Sequence, residues 1–143
     1  MAIWKREFTL ESLNAGAQQT LISHLGICYS AIGEDFLQAT MPVISITQQP
    51  MGLLHGGASV VLAETLGSVA GNLCVDPSRC CVGLEINANH VRAKRHGLVT
   101  GTTRPLHLGA TTQLWQIEIH DEAQHLICTS RITLAVLKKK TNE

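Results

Sequence analysis

One carboxylate stands apart in this sequence. From Gln48 to Val75, Glu64 is the only formally charged side chain, set in a run of Val, Leu, Ala and Gly. A carboxylate among apolar neighbours is costly unless hydrogen-bonded, and removal from water makes it a stronger base. Ser68 follows four residues later, on the same helical face and one turn on, placed to hydrogen-bond the carboxylate or hold a water. Upstream, His55-Gly56-Gly57 marks the point where a loop becomes a helix. The free N–H groups of a helix start favour developing negative charge, and glycine lets a ligand come close to the backbone. A buried base or nucleophile near a helix-end oxyanion donor suits attack on an activated acyl group. Each feature also has a plainer reading. Glu64 can reach solvent or a subunit salt bridge, Ser68 can bond back to the preceding turn, and the glycines can serve only a tight turn.

Other chemistries lack their motifs. The seven histidines (His24, His55, His90, His96, His107, His120 and His125) include no HExxH or other metal-binding spacing, so no metal is expected. There is no GxSxG elbow, no phosphate-binding P-loop and no GxGxxG. A serine hydrolase, a nucleotide triphosphatase and a dinucleotide enzyme are therefore unsupported.

The elements that must hold these residues follow from periodicity and turn signals. A short helix is expected over Leu10–Ala17 behind Thr9 as N-cap, with Ser12 and Asn14 on its wet side. Ile27–Ile32 and Phe36–Val43 alternate as strands around a Gly33-Glu34-Asp35 turn. A loop, Ile44–Leu54, leads into a long helix, Gly56–Val75, apolar nearly all round and so expected to be buried nearly all round. Four strands follow: Cys81–Arg92, Leu98–Leu106, Gln113–His120 and Leu126–Leu137. In the third, Trp115, Ile117 and Ile119 alternate with Gln116, Glu118 and His120, the pattern of a half-buried strand. Sequential long strands imply an antiparallel sheet, and one that curls around the long helix would hide it. The class is α+β.

Composition narrows the partners. At 143 residues one domain is expected, and a chain of that length needs no disulfide or metal to fold. Charged residues are 15%, against the usual value of about 25%, which suits subunits that cover one another. Eleven basic and eleven acidic residues cancel, and aromatics are 3%; a nucleic-acid module would show a basic excess or stacking platforms. The basic cluster Arg92, Lys94, Arg95 and His96 could hold a phosphorylated ligand, whereas Lys138-Lys139-Lys140 reads as a solvated run. Met1–Leu10 holds no apolar run of signal-peptide length, and Gly56–Val75 is broken by Glu64, Thr65, Ser68, Asn72 and four glycines. No membrane span is expected. The five cysteines include an adjacent pair, Cys80-Cys81, and no CxxC. Reduced, buried thiols in a cytoplasmic protein are the expectation.

The ordered run from Gln49-Pro50-Met51-Gly52-Leu53-Leu54-His55-Gly56-Gly57 to Ala63-Glu64-Thr65-Leu66-Gly67-Ser68 closely resembles the hotdog-fold acyl-CoA thioesterases. Within them it is most similar to the bacterial group of 1,4-dihydroxy-2-naphthoyl-CoA thioesterases of menaquinone synthesis and proofreading thioesterases of enterobactin synthesis. The likeness begins at Ile3-Trp4-Lys5-Arg6 and runs through Ala39-Thr40-Met41-Pro42-Val43 and Gly83-Leu84-Glu85-Ile86-Asn87-Ala88-Asn89-His90-Val91-Arg92. It ends with Pro105-Leu106-His107-Leu108-Gly109 and the Trp115–Ile119 strand. The run Gly83–Arg92 favours the naphthoyl-CoA branch.

The resemblance implies one hotdog domain over 1–143, a long central helix wrapped by an antiparallel sheet. It implies hydrolysis of aromatic acyl-CoA thioesters, with some medium-chain activity and no cofactor. Glu64 matches the catalytic carboxylate, nucleophile or general base, and the Gly56 N–H matches the oxyanion donor. Gln49 and His55 match groups that orient the thioester and leaving thiolate, and Ser68 lies beside the acyl pocket. Gly83, the segment His90-Val91-Arg92-Ala93 and the segment His107-Leu108-Gly109-Ala110-Thr111-Thr112 match coenzyme A contacts. The expected assembly is a dimer of dimers with each site between subunits, Glu64 from one chain and the His55–Gly56 turn from its neighbour. Two departures stand out. Relatives place a basic group shortly after Gly109, where this chain has Ala110-Thr111-Thr112, and often have Phe where this acyl pocket would carry Met51. The alternatives are proofreading of misloaded carrier proteins and a non-catalytic acyl-CoA binding module.

Overall fold

A computed structural model describes residues 1–141. Asn142 and Glu143, the end of the expected domain, lie outside the described residues. Helix α1 spans Leu10–Gly16 and the four-residue α2 spans Leu21–His24. Strands β1 (Cys28–Ile32) and β2 (Leu37–Val43) form a hairpin, followed by a 3-10 turn at Ser45–Thr47 and the long helix α3, Gly56–Leu73. Then come β3 (Arg79–His90), β4 (Gly97–Leu108), β5 (Thr112–Asp121) and β6 (Leu126–Lys138). All pairings are antiparallel, in the order β1-β2-β4-β5-β6-β3. The expected helix and strands are present. The short α2 and the 3-10 turn inside the Ile44–Leu54 loop were not expected.

The sheet curls against one side of α3. Leu62, Ala63, Leu66 and Ala70 are fully buried there, against Trp115, Ile117, Ile119, Ile132 and Leu134 of β5 and β6. Trp115 cannot be buried without a partner for its N–H. Its Nε1 donates to Gln113 Oε1 at 2.8 Å, and Gln113 Nε2 donates to the Gly71 carbonyl of α3 at 3.4 Å. Glycines let helix and sheet approach. A Cβ on Gly67 would stand 2.5 Å from Ile132 Cγ2. Gly67→Ala gains at most about 1 kcal/mol of helix propensity, whereas overpacking costs about 1–3 kcal/mol. The expected result is a thermal midpoint lowered by roughly 3–6 °C, read by circular dichroism; a raised midpoint would mean the close approach is not limiting.

Three expectations need correction. The long helix is not buried nearly all round: Val61, Thr65, Ser68 and Val69 are half-buried and Glu64 is exposed, because the sheet wraps one side only. Asn14 is not merely a wet-side residue. Its side chain donates to the Tyr29 carbonyl at 3.0 Å and accepts from the Tyr29 N–H at 2.8 Å, closing the outer edge of β1. The five thiols are all free, but only Cys74, Cys81 and Cys128 are buried; Cys28 is exposed and Cys80 half-buried. Burial pushes the Cys74 thiol up to about 12, chiefly by desolvation, so it is inert rather than nucleophilic.

The two sheet edges are treated differently. The β1 edge is short and plugged. The β3 edge is twelve residues long, has no strand on its outer side among the described residues, and carries Val82 and Leu84 exposed. No helix among the described residues is long and apolar enough to cross a membrane.

Candidate active site

Helix α3 begins where the chain is pinned on both sides. The His55 N–H donates to the Thr47 carbonyl at 2.8 Å, and the His55 imidazole caps the helix by accepting from the Gly57 N–H at 2.8 Å through Nδ1. Accepting at Nδ1 places the proton of the neutral ring on Nε2. Between these anchors the Gly56 N–H has no partner among the described residues. A free amide at the positive end of an eighteen-residue helix is a ready oxyanion donor. The room around it is tight: a Cβ on Gly56 would lie 2.8 Å from His90 Nε2. Gly56 lines a cleft of about 340 Å³ together with Gln49, His90, Val91, Arg92 and Ala93. So five residues expected at the site do meet Gly56, brought there by the loop before α3 and the end of β3.

Glu64 lies elsewhere. Its carboxylate is exposed and lines a separate cleft of about 290 Å³ with Leu21, Ile22, Val61, Thr65, Ser68 and Val69. Among the described residues it is the only ionisable group on those walls. Ser68 shares the cleft as its spacing predicts, but no hydrogen bond joins the two side chains among the described residues. Gly83 stands opposite: a Cβ there would lie 3.2 Å from Glu64 Oε1. A β-bulge between Gly83 and Glu85 interrupts the β3–β6 register at this place, as bulges often do beside sites. The expected desolvation of Glu64 is therefore absent from the single chain.

The third group of expected residues forms the β4–β5 turn. Gly109 N–H donates to the Thr112 carbonyl at 2.9 Å, and Thr111 accepts from Val136 N–H at 2.9 Å. His107 packs on the turn; a Cβ on Gly109 would meet its Nε2 at 2.5 Å. Leu108, Gly109 and Ala110 line a cleft of about 410 Å³. Thus one chain spreads the expected site over three places. One further expectation fails locally. Lys94 pairs with Glu122 at 2.7 Å and its side chain is only 16% exposed, so it does not join Arg92 and Arg95 as a free cation. Met51 is 72% exposed and lies outside the Glu64 cleft of its own chain.

Sequence reasoning missed Leu21 and Ile22 as walls of the Glu64 cleft. The capping box of α2, in which Thr20 and Ser23 exchange backbone and side-chain hydrogen bonds, was the available signal. No group of His, Cys, Asp and Glu among the described residues could hold a metal ion.

Comparison with known proteins agrees with this architecture. The thioesterase superfamily pattern matches residues 51–128, which include Gly56, Glu64, Gly83 and His90. The chain is 59% identical over 135 residues to the 1,4-dihydroxy-2-naphthoyl-CoA hydrolase of Escherichia coli (strain K12), covering 94% of this chain and 99% of that protein. It is 55% identical over 135 residues to the proofreading thioesterase EntH of Cronobacter sakazakii, covering 94% and 98%. A crystal structure of a thioesterase from Haemophilus influenzae superposes with a TM-score of 0.94 at 53% identity, covering 95% of each chain. The free amide at the start of α3, the lone carboxylate further along it and the sheet that curls against it therefore belong to a hotdog-fold thioester hydrolase, and the chain is a member of the thioesterase superfamily.

Proposed function

We propose that this enzyme hydrolyses acyl-CoA thioesters, with a preference for aromatic acyl groups of the 1,4-dihydroxy-2-naphthoyl or benzoyl kind and lower activity on medium chains. The observation that carries the reading is the Glu64 cleft, one carboxylate on walls otherwise made of aliphatic and hydroxyl side chains. An apolar acyl group fits such walls, and its carbonyl carbon lies next to the only base. Glu64 acts as nucleophile or as general base on water; in both routes a hydroxyl ends on the acyl carbon, the C–S bond breaks and the thiolate leaves to take up a proton. The Gly56 N–H holds the oxyanion, Gln49 and His55 orient the thioester, and Ser68 stands beside the attacking water.

A reacting carbonyl must lie about 3 Å from both the carboxylate and the oxyanion donor. Within one chain Gly56 and Glu64 are separated by eight residues of helix, roughly 12 Å of rise. We therefore assign each site to two chains, Glu64 from one and the Gly56 amide from a second copy. The exposed β3 edge is the surface for that second copy, since a long unpaired edge that exposes Val82 and Leu84 seeks a strand. Antiparallel pairing of two β3 edges makes one continuous sheet, desolvates Glu64 and builds the homo-oligomer, with the dimer of dimers as its larger form. The compartment that suits five free thiols is the cytoplasm, and the place that suits the substrate is menaquinone synthesis.

Thiol release from hydroxynaphthoyl-, benzoyl-, hexanoyl- and palmitoyl-CoA tests the reading. The aromatic thioesters are expected to be cleaved fastest and palmitoyl-CoA slowest. Faster cleavage of straight chains would remove the aromatic assignment; tight binding without turnover would make the protein a binding module. A second reading, proofreading of carrier-bound thioesters, draws on Arg92 and Arg95, exposed and without a carboxylate partner among the described residues. Faster cleavage of the same acyl group on an acidic carrier protein than on CoA would favour it.

A further inference from the structure

The cleft of about 410 Å³ lies between the N-terminal arm, the end of α3, the start of β3 and the β4–β5 turn. The arm is fixed by Lys5 N–H donating to the Leu73 carbonyl at 2.8 Å. Three cations gather here, and only one is tied down. Arg6 donates to the carbonyls of Val75, Asp76 and Arg79 at 3.0, 3.2 and 2.7 Å, closing the chain between α3 and β3. Arg79 is half-buried on the cleft wall, and its guanidinium makes only a long contact, 3.5 Å, to the Ala110 carbonyl of the β4–β5 turn. Neither Arg79 nor Lys5 has a carboxylate in ion-pair range among the described residues. The one acid on the wall, Asp76, is engaged by the Ser78 N–H and hydroxyl. Those hydrogen bonds, and then the Arg79 and Lys5 charges, hold its carboxyl below the usual range. The wall keeps a net positive charge.

The Arg79 guanidinium keeps donors to spare on the cleft wall, and its planar fork suits phosphate. The cleft also lies at a useful distance. From Glu64 to the end of α3 at Leu73 is nine residues, about 14 Å of helix rise. Antiparallel pairing of β3 edges sets the Arg79 end of one strand beside the His90 end of its neighbour. That brings this cleft to the mouth of the composite site.

We propose that Arg79, assisted by Lys5, binds a phosphate of the substrate's coenzyme A moiety at the mouth of this cleft. The inference rests on the CoA-thioester reading above. Arg79→Gln and Lys5→Gln are compared with wild type on one acyl group carried by CoA, by dephospho-CoA and by N-acetylcysteamine, which has no phosphate. For Arg79→Gln the preference in kcat/KM for the CoA thioester over the N-acetylcysteamine thioester is expected to fall about tenfold, through KM rather than kcat, with a smaller fall for Lys5→Gln. A fall on the CoA thioester alone places Arg79 on the 3′-phosphate; an equal fall on the dephospho-CoA thioester places it on the diphosphate. Arg79→Lys should restore part of the preference. An unchanged preference, or equal losses on all three carriers, would overturn the proposal and leave Arg79 a structural residue. Failure of wild type to cleave any of the three would instead overturn the CoA-thioester reading itself.

Discussion

Glu64→Gln is expected to lower kcat on the best thioester by about a thousandfold or more, without lowering the thermal midpoint. Glu64 is exposed on the single chain and makes no hydrogen bond or ion pair among the described residues, so no fold contact is lost with its charge. Glutamine keeps its length and shape but neither attacks a carbonyl nor accepts a proton from water at neutral pH. No second ionisable group among the described residues lines the cleft to replace it. The measurement is single-turnover thiol release with purified variant. A loss below tenfold would remove the carboxylate from the chemistry. Single turnovers in labelled water test for the anhydride: label in the Glu64 side chain marks an anhydride opened by water at the Glu64 carbonyl, and an unlabelled side chain excludes that route.

The sequence made the fold legible because periodicity and apolarity coincide there. Trp115, Ile117 and Ile119 alternate as expected and are fully buried, and Leu37, Ala39, Met41 and Val43 do the same in β2. The Gly56 turn and Glu64 were legible for another reason: glycines before a helix and a lone carboxylate inside it break the local pattern, and such breaks mark function. What the sequence hid was coverage. An apolar helix reads as buried whether its own sheet or another chain covers it, so the open Val61–Val69 face was invisible. The role of Lys94 was hidden too, because its partner Glu122 is distant in sequence and reaches it only through β-sheet register. The same holds for Arg79, which meets the Ala110 carbonyl across thirty-one residues. Local patterns report what a segment buries; they do not report which distant charge or which second copy meets it.

That gap sets the second large effect. Gly56→Pro removes the free amide proton at a position whose backbone accepts proline. Gly56 is the first residue of α3, the helical site proline favours. His55 before it has φ −68° and ψ 129°, the extended conformation that a residue before proline adopts. The new ring meets the exposed His90 side chain, which can rotate away. Loss of one oxyanion donor costs about a hundred- to a thousandfold in kcat, so that fall is expected with the helix content unchanged. Each variant alone is then nearly inactive, and mixing them decides where the site lies. If Glu64 and the Gly56 amide come from different chains, a mixed dimer of Glu64→Gln and Gly56→Pro subunits carries one site with both lesions and one site with neither. Random assortment of equal amounts makes half the dimers mixed, so about a quarter of wild-type activity should return. If each site lay within one chain, every site in the mixture would carry a lesion and no activity would return. Co-refolded or co-expressed subunits with distinct affinity tags, purified as mixed dimers, should reach about half the wild-type activity per dimer. Recovery there, with none in either parent, is the signature of a carboxylate and an amide that share a helix in sequence yet serve different thioesters.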